Sequence, residues 1–213
     1  MFALIKREIQ DHIVYFIGAA VFAVFFIIMS ISILHNYNPR HGPPVFAILI
    51  GVPAVTIVIF GIGAMGATQM YLDKTRKISA LLSTLATSRN RILLARIIAG
   101  ILAILTLLVP LTIAAVILMR FFTILIPIPM FPGMVFEISV VVFLMAFACY
   151  SIGLQTGWNS NPVTPSLGAL FLTCIFVTLI FVKGFGVHIV VILVLFIVAS
   201  LIRTWHTFMT TSL

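Results

Sequence analysis

The sequence predicts an all-α, polytopic membrane protein with about six transmembrane helices, and three observations lead to that class. Apolar residues make up 63% of the 213 residues and charged ones only 8%, against about 25% charged in a typical soluble domain. A soluble fold of this length could not hide so much apolar surface. The apolar residues fall in runs of span length, and a helix needs roughly 20 of them to cross about 30 Å of hydrocarbon. The basic residues sit in short segments between those runs, the placement that sets topology in a bilayer. Residues 1–213 read as a single transmembrane domain, with the lipid bilayer as its first partner.

Residues 1–12 (MFALIKREIQDH) form a short amphipathic stretch, with Phe2, Leu4, Ile5 and Ile9 able to share one face. This is the pattern of an interfacial helix. The charges in it, and the lack of a small-residue cleavage pattern after it, argue against a cleavable signal. The first span is expected at 13–34, followed by a turn-rich loop at 35–44. The second covers 45–70, with a kink expected at Pro53. Its exit, GIGAMGA, places Gly63 and Ala67 four apart, a spacing that lets helices approach closely in lipid. A polar stretch at 71–91 precedes the third span, 92–119, where Pro110 predicts another kink. Residues 120–136 carry Pro127, Pro129, Pro132 and Gly133, so a regular helix cannot run through them. A loop on the outer membrane face is expected there. The fourth span is expected at 137–157, a turn at 158–164, the fifth span at 165–182, the turn KGFG at 183–186 and the sixth span at 187–202.

Orientation follows from the basic residues. An inside N-terminus puts Lys6, Arg7, Lys74, Arg76, Lys77, Arg89, Arg91, Arg96 and Arg203 on the cytoplasmic side and Arg40, Arg120 and Lys183 outside. Such a bias predicts that both termini are cytoplasmic. The net charge of +8 thereby reads as topology control, and no nucleic-acid partner is expected.

The 71–91 stretch (YLDKTRKISALLSTLATSRNR) has its own pattern. Ile78, Leu81, Leu82 and Leu85 fall at i, i+3, i+4 and i+7, one apolar stripe on a helix. Asp73 near the start suits a positive helix end. A short amphipathic helix below the membrane is expected, serving either to set topology or to dock a partner. The longer stretch DKTRKISALLSTLATSRNRILLARIIAG (73–100) resembles the cytoplasmic segment of type-2 ABC exporter permeases. Asp73, Lys74, Leu81, Leu82, Ser88, Arg89, Ile92, Leu93, Leu94 and Arg96 fit that pattern. The sequence departs from it at Lys77, Ala80 and Ala86, where the family often has Gly, Glu and Pro. The opening LIKREIQD (4–11) resembles the family's interfacial N-terminal helix.

The resemblance implies the transmembrane subunit of an ATP-driven exporter in a prokaryotic plasma (inner) membrane. It implies a coupling helix at 71–91 that meets a separate ABC ATPase subunit through Ile78, Leu81, Leu82, Leu85, Arg89 and Arg91. The basic residues there would meet acidic partners or lipid headgroups. It also implies a second permease subunit, forming a homodimer or heterodimer. The chain has no G-x-x-x-x-G-K-[ST] phosphate loop, so ATP and Mg are expected on the partner and no cofactor on this chain. A non-transporting scaffold or assembly subunit is the alternative.

Other chemistries find little here. The chain has four acidic residues, Glu8, Asp11, Asp73 and Glu137. Only Glu137, at the expected outer start of the fourth span, lies near hydrocarbon, whereas ion-coupled carriers place ionisable groups within their spans. Ser166 and His188 are expected at opposite membrane faces, too far apart for nucleophile and base. His35, His41 and His188 match no standard metal-ligand spacing. Cys149 and Cys174 sit in apolar runs as small packing residues. Gln155, Thr156, Trp158, Asn159 and Asn161 form a polar cluster suited to interfacial anchoring or an inner gate. No catalytic or metal residue is expected.

Overall fold

The structure, a computed structural model, describes residues 2–35, 45–76, 89–123, 131–157, 171 and 187–210. The expected fifth span, apart from Phe171, lies outside the described residues. The described chain forms six helices and no strand: α1 (Phe2–Asp11), α2 (Ile13–His35), α3 (Val45–Arg76), α4 (Arg89–Thr123), α5 (Phe131–Thr156) and α6 (Val187–Thr210). Four segments are long and apolar enough to cross a membrane: Ile13–Ser32, Arg89–Ile117, Val135–Thr156 and Val187–Thr210. Among the described residues the chain is all-helical, and these four segments mark it as an integral membrane protein.

Most helix positions follow the apolar runs. The differences lie at the ends. α4 begins at Arg89 and α3 continues to Arg76, so residues 71–76 and 89–91 of the expected separate coupling helix belong to the flanking helices. Helical backbone needs no apolar residue to continue past the membrane boundary, and apolar content alone therefore underestimates its length. Residues 77–88, with Ile78, Leu81, Leu82 and Leu85, lie outside the described residues. α5 begins at Phe131, with Pro132 in its first turn, where a missing N–H costs nothing. Glu137 accordingly stands beyond the first turn, exposed, near the start of the apolar segment Val135–Thr156.

Helices α2 and α4 run away from the end that carries α1, whereas α3, α5 and α6 run toward it. Rungs between neighbouring helices fix these directions. Tyr15 Oη lies 3.3 Å from Thr68 Oγ1, early in α2 and late in α3. Thr112 Oγ1 lies 3.2 Å from Ser139 Oγ, late in α4 and early in α5. Trp205 Nε1 donates to Asn90 Oδ1 at 3.0 Å, joining the end of α6 to the start of α4.

The tightest crossing joins α3 to α5 and is built from small residues. A Cβ on Gly153 would land on the Gly63 carbonyl oxygen, and one on Gly157 would land on that of Ala67. Gly63 in turn faces the Cys149 carbonyl, with 3.3 Å between that oxygen and an added Cβ. The Gly63–Ala67 pair thus meets a matching pair, Gly153 and Gly157. Lipid tails are as apolar as leucine, so close backbone packing rather than water exclusion holds such helices together. Around this crossing, α6 buries one stripe, Ile189, Leu193, Ile197, Ser200, Thr204 and Phe208. Its other faces, with Val191, Leu195 and Val198, are exposed, as lipid-facing surface should be.

Candidate functional site

The buried polar residues among those described, His12, Gln69, Arg96, Ser151, Ser200 and Thr204, gather in the half of the bundle near α1. Arg96 lies two turns into α4 and is only 2% exposed. An arginine so enclosed requires a counter-charge, and it comes from the interfacial helix: Arg96 Nε lies 3.4 Å from Glu8 Oε1. Leu4 of α1 packs against the apolar core, which seats that helix against the bundle, while Phe2, at its first position, stays exposed. Arg96 Nη1 also reaches Met70 Sδ of α3 at 3.3 Å, and its guanidinium carbon lies 5.8 Å from the centroid of the Phe208 ring of α6. One side chain therefore touches α1, α3 and α6 from α4.

Tyr150 of α5 completes the joint. Its hydroxyl lies 2.6 Å from Gln69 Oε1 and 2.7 Å from the Arg96 carbonyl oxygen, and all three residues are buried. A phenol has one proton for these two acceptors, while Gln69 Nε2 is buried without a hydrogen-bond partner among the described residues. Turning the amide end for end resolves both: Gln69 Nε2 then donates to Tyr150, and Tyr150 donates to the Arg96 carbonyl. The ring fits because Gly100 lies beneath it, where any Cβ would strike the phenol. Tyr150→Phe should weaken the fold by about 1–3 kcal/mol, the usual cost of leaving a buried polar group unpaired, measured as a lower melting midpoint in detergent. An unchanged midpoint would show that the hydroxyl contributes nothing.

His12, at the turn between α1 and α2, is buried, and its Nε2 lies 3.9 Å from Glu8 Oε2. Burial holds its pKa below the ordinary 6.5; the Asp11 carboxylate pushes it up and the Arg96 guanidinium pushes it down, with burial the largest effect. A free α1 thus binds a proton at pH values where the docked one resists it. Docking of α1 should be at full strength above about pH 6.5 and weaken as pH falls toward the docked pKa. Protection factors across Phe2–Asp11, taken against the intrinsic exchange rate at each pH, should fall between pH 7.5 and 5.5. His12→Gln should flatten that fall, and equal protection at both pH values would refute the effect.

Of the docking residues expected from the sequence, Arg89 and Arg91 are described. Arg89 is half-buried, and its Nη1 donates to the Met209 carbonyl at 3.5 Å, the favourable place for a cation near the end of α6. Arg91 is exposed. Of the expected inner polar cluster, Gln155 accepts a hydrogen bond from Ser200 Oγ at 3.3 Å and Thr156 donates back to the Ile152 carbonyl at 2.7 Å; Trp158, Asn159 and Asn161 lie outside the described residues. Cys149 is buried at the α3–α5 crossing. In the sequence Arg96 reads as a topology signal and as a basic residue of the permease-like pattern, whereas nothing there marks Gln69 or Tyr150. The available signal was the scarcity of acids: an arginine within the apolar run ILLARIIAG (92–100) must find one of only four in the chain. Comparison of the chain with protein-family models, with curated proteins and with solved structures finds no match in any of the three.

Proposed function

We propose that this chain is a six-span permease subunit of a type-2 ABC exporter, with both termini cytoplasmic and a separate ATPase subunit docked below. The observation that supports this reading is the joint around Arg96 and Tyr150. The end of α3 and the start of α4, the two helices that residues 77–88 connect in sequence, are tied together by Gln69, Tyr150 and Arg96. A partner pressing on 77–88 would deliver its force to this point, and Glu8 would carry it to α1. Closure of an ATP-bound ATPase pair could thereby rock the spans between states. The expected docking residues remain Ile78, Leu81, Leu82, Leu85, Arg89 and Arg91, with ATP and Mg on the partner and a second permease subunit alongside.

Chain direction supports the six spans. α5 and α6 run the same way, and a return between them as a helix, which a bilayer admits, would match the fifth span expected at 165–182. At 32 residues, α3 is about 48 Å long, more than one membrane crossing requires.

Affinity purification of the tagged chain in mild detergent tests the reading. An ATPase bearing a phosphate loop should co-purify in a one-to-one ratio and be lost in Leu81→Asp/Leu82→Asp. A folded preparation that brings down no ATPase would overturn it and favour a scaffold or assembly subunit.

A further inference from the structure

We propose that the cavity between α2, α3 and α4 binds a small neutral phenol. The cavity measures about 200 Å³. Tyr15, Gly18 and Phe22 line it from α2, Gly61 and Met65 from α3, and Ala103 from α4. Glycine leaves the space open. An added Cβ on Gly18 or Gly61 would meet no atom within 4 Å, whereas the glycines of the α3–α5 crossing stand tight against backbone.

Hydrogen-bond complementarity and volume select the occupant. Among the described lining residues, Tyr15 is the one whose side chain carries an O–H or N–H. Thr68 Oγ1 donates its own proton to the Met65 carbonyl at 2.9 Å. The proton in the 3.3 Å contact between Tyr15 and Thr68 is therefore the phenol's. Tyr15 donates to Thr68, and its oxygen keeps lone pairs that receive no donor among the described residues. Deeper in the cavity, backbone N–H groups are spent within their helices. An occupant must thus donate one hydrogen bond and be otherwise apolar. A dry apolar cavity of about 150 Å³ takes benzene, so this one has room for a substituted ring. Tyr15 and Phe22, two turns apart on one helix face, offer aromatic walls to it. An acyl chain would fill the same space but has no proton to donate, and a charged ligand is costly within a span.

Two probes of nearly equal size, 4-fluorophenol and 4-fluorotoluene, differ in that only the first donates a hydrogen bond. Fluorine NMR of the chain in detergent micelles should show that both bind. Tyr15→Phe should weaken 4-fluorophenol by about fivefold, the worth of one hydrogen bond, and leave 4-fluorotoluene unchanged. Each probe is compared with itself across the variants, so its partitioning into the micelle cancels. Gly61→Leu adds a side chain where nothing stands within 4 Å of the Cβ position, and it should abolish binding of both. Binding of neither probe to the unsubstituted chain, as when an acyl chain already fills the space, would overturn the proposal. The same response of both probes to Tyr15→Phe, or binding that survives Gly61→Leu, would overturn it too. The measurement needs no ATPase, so its outcome is independent of the permease reading.

Discussion

Removing either half of the Glu8–Arg96 pair is expected to destabilise the protein by about 3–5 kcal/mol, the range seen when one partner of a buried ion pair is left alone. Glu8→Gln keeps the shape of the side chain and leaves Arg96, 2% exposed, without its carboxylate. Arg96→Met keeps the stem and leaves Glu8 facing an apolar wall. Paired charges can be replaced together at little cost when the volume is kept, so Glu8→Gln/Arg96→Met should recover most of the loss. Melting midpoints of the four proteins in one detergent form a double-mutant cycle. A coupling within about 0.5 kcal/mol of zero, the scatter of independent sites, would mean that the pair is incidental to stability.

The second large effect lies at the α3–α5 crossing. Gly153→Ala drives a methyl group into the Gly63 carbonyl oxygen, and backbone cannot swing aside as a side chain can. The two helices must separate, and loss of close backbone packing removes what holds them in lipid. We expect a loss of at least about 3 kcal/mol, at the upper end for overpacking, seen as poor recovery of monodisperse protein or a sharply lower melting midpoint. Gly18→Ala and Gly61→Ala make the natural contrast, because an added Cβ at either position meets no atom within 4 Å. They should be neutral or slightly stabilising, since alanine is the better helix former. Equal effects at all three positions would refute the crossing.

Helix positions were largely legible in the sequence because lipid imposes a length rule on apolar runs. The start of α2 at Ile13 and of α6 at Val187 match it directly. Helix ends were less legible: the extension of α3 to Arg76 and the early start of α5 at Phe131 depend on backbone continuity and not on hydropathy. Gly63 and Ala67 could be marked as a contact surface, but not their partner, because many small-residue pairs occur in apolar helices and only the fold selects Gly153 and Gly157. The buried joint was the least legible. Glu8, Gln69, Arg96 and Tyr150 are distant in sequence, and each alone reads as an ordinary boundary residue. Their roles come from helix directions that bring the start of α4 and the end of α5 to the same depth as α1.

The Glu8–Arg96 pair also has a consequence for how the protein is made. The two residues are 88 positions apart, and at about 5–20 residues per second the ribosome needs roughly 4–18 s to supply Arg96 after Glu8. During that interval α1 has no counterion from α4 and must wait at the bilayer surface with Glu8 in water. Arg96 then enters the membrane with its neutralising carboxylate already in place beside it. Helix α1 acts as a pre-positioned receptor for α4, so a bulky insertion directly before α1 should impair assembly more than one after α6.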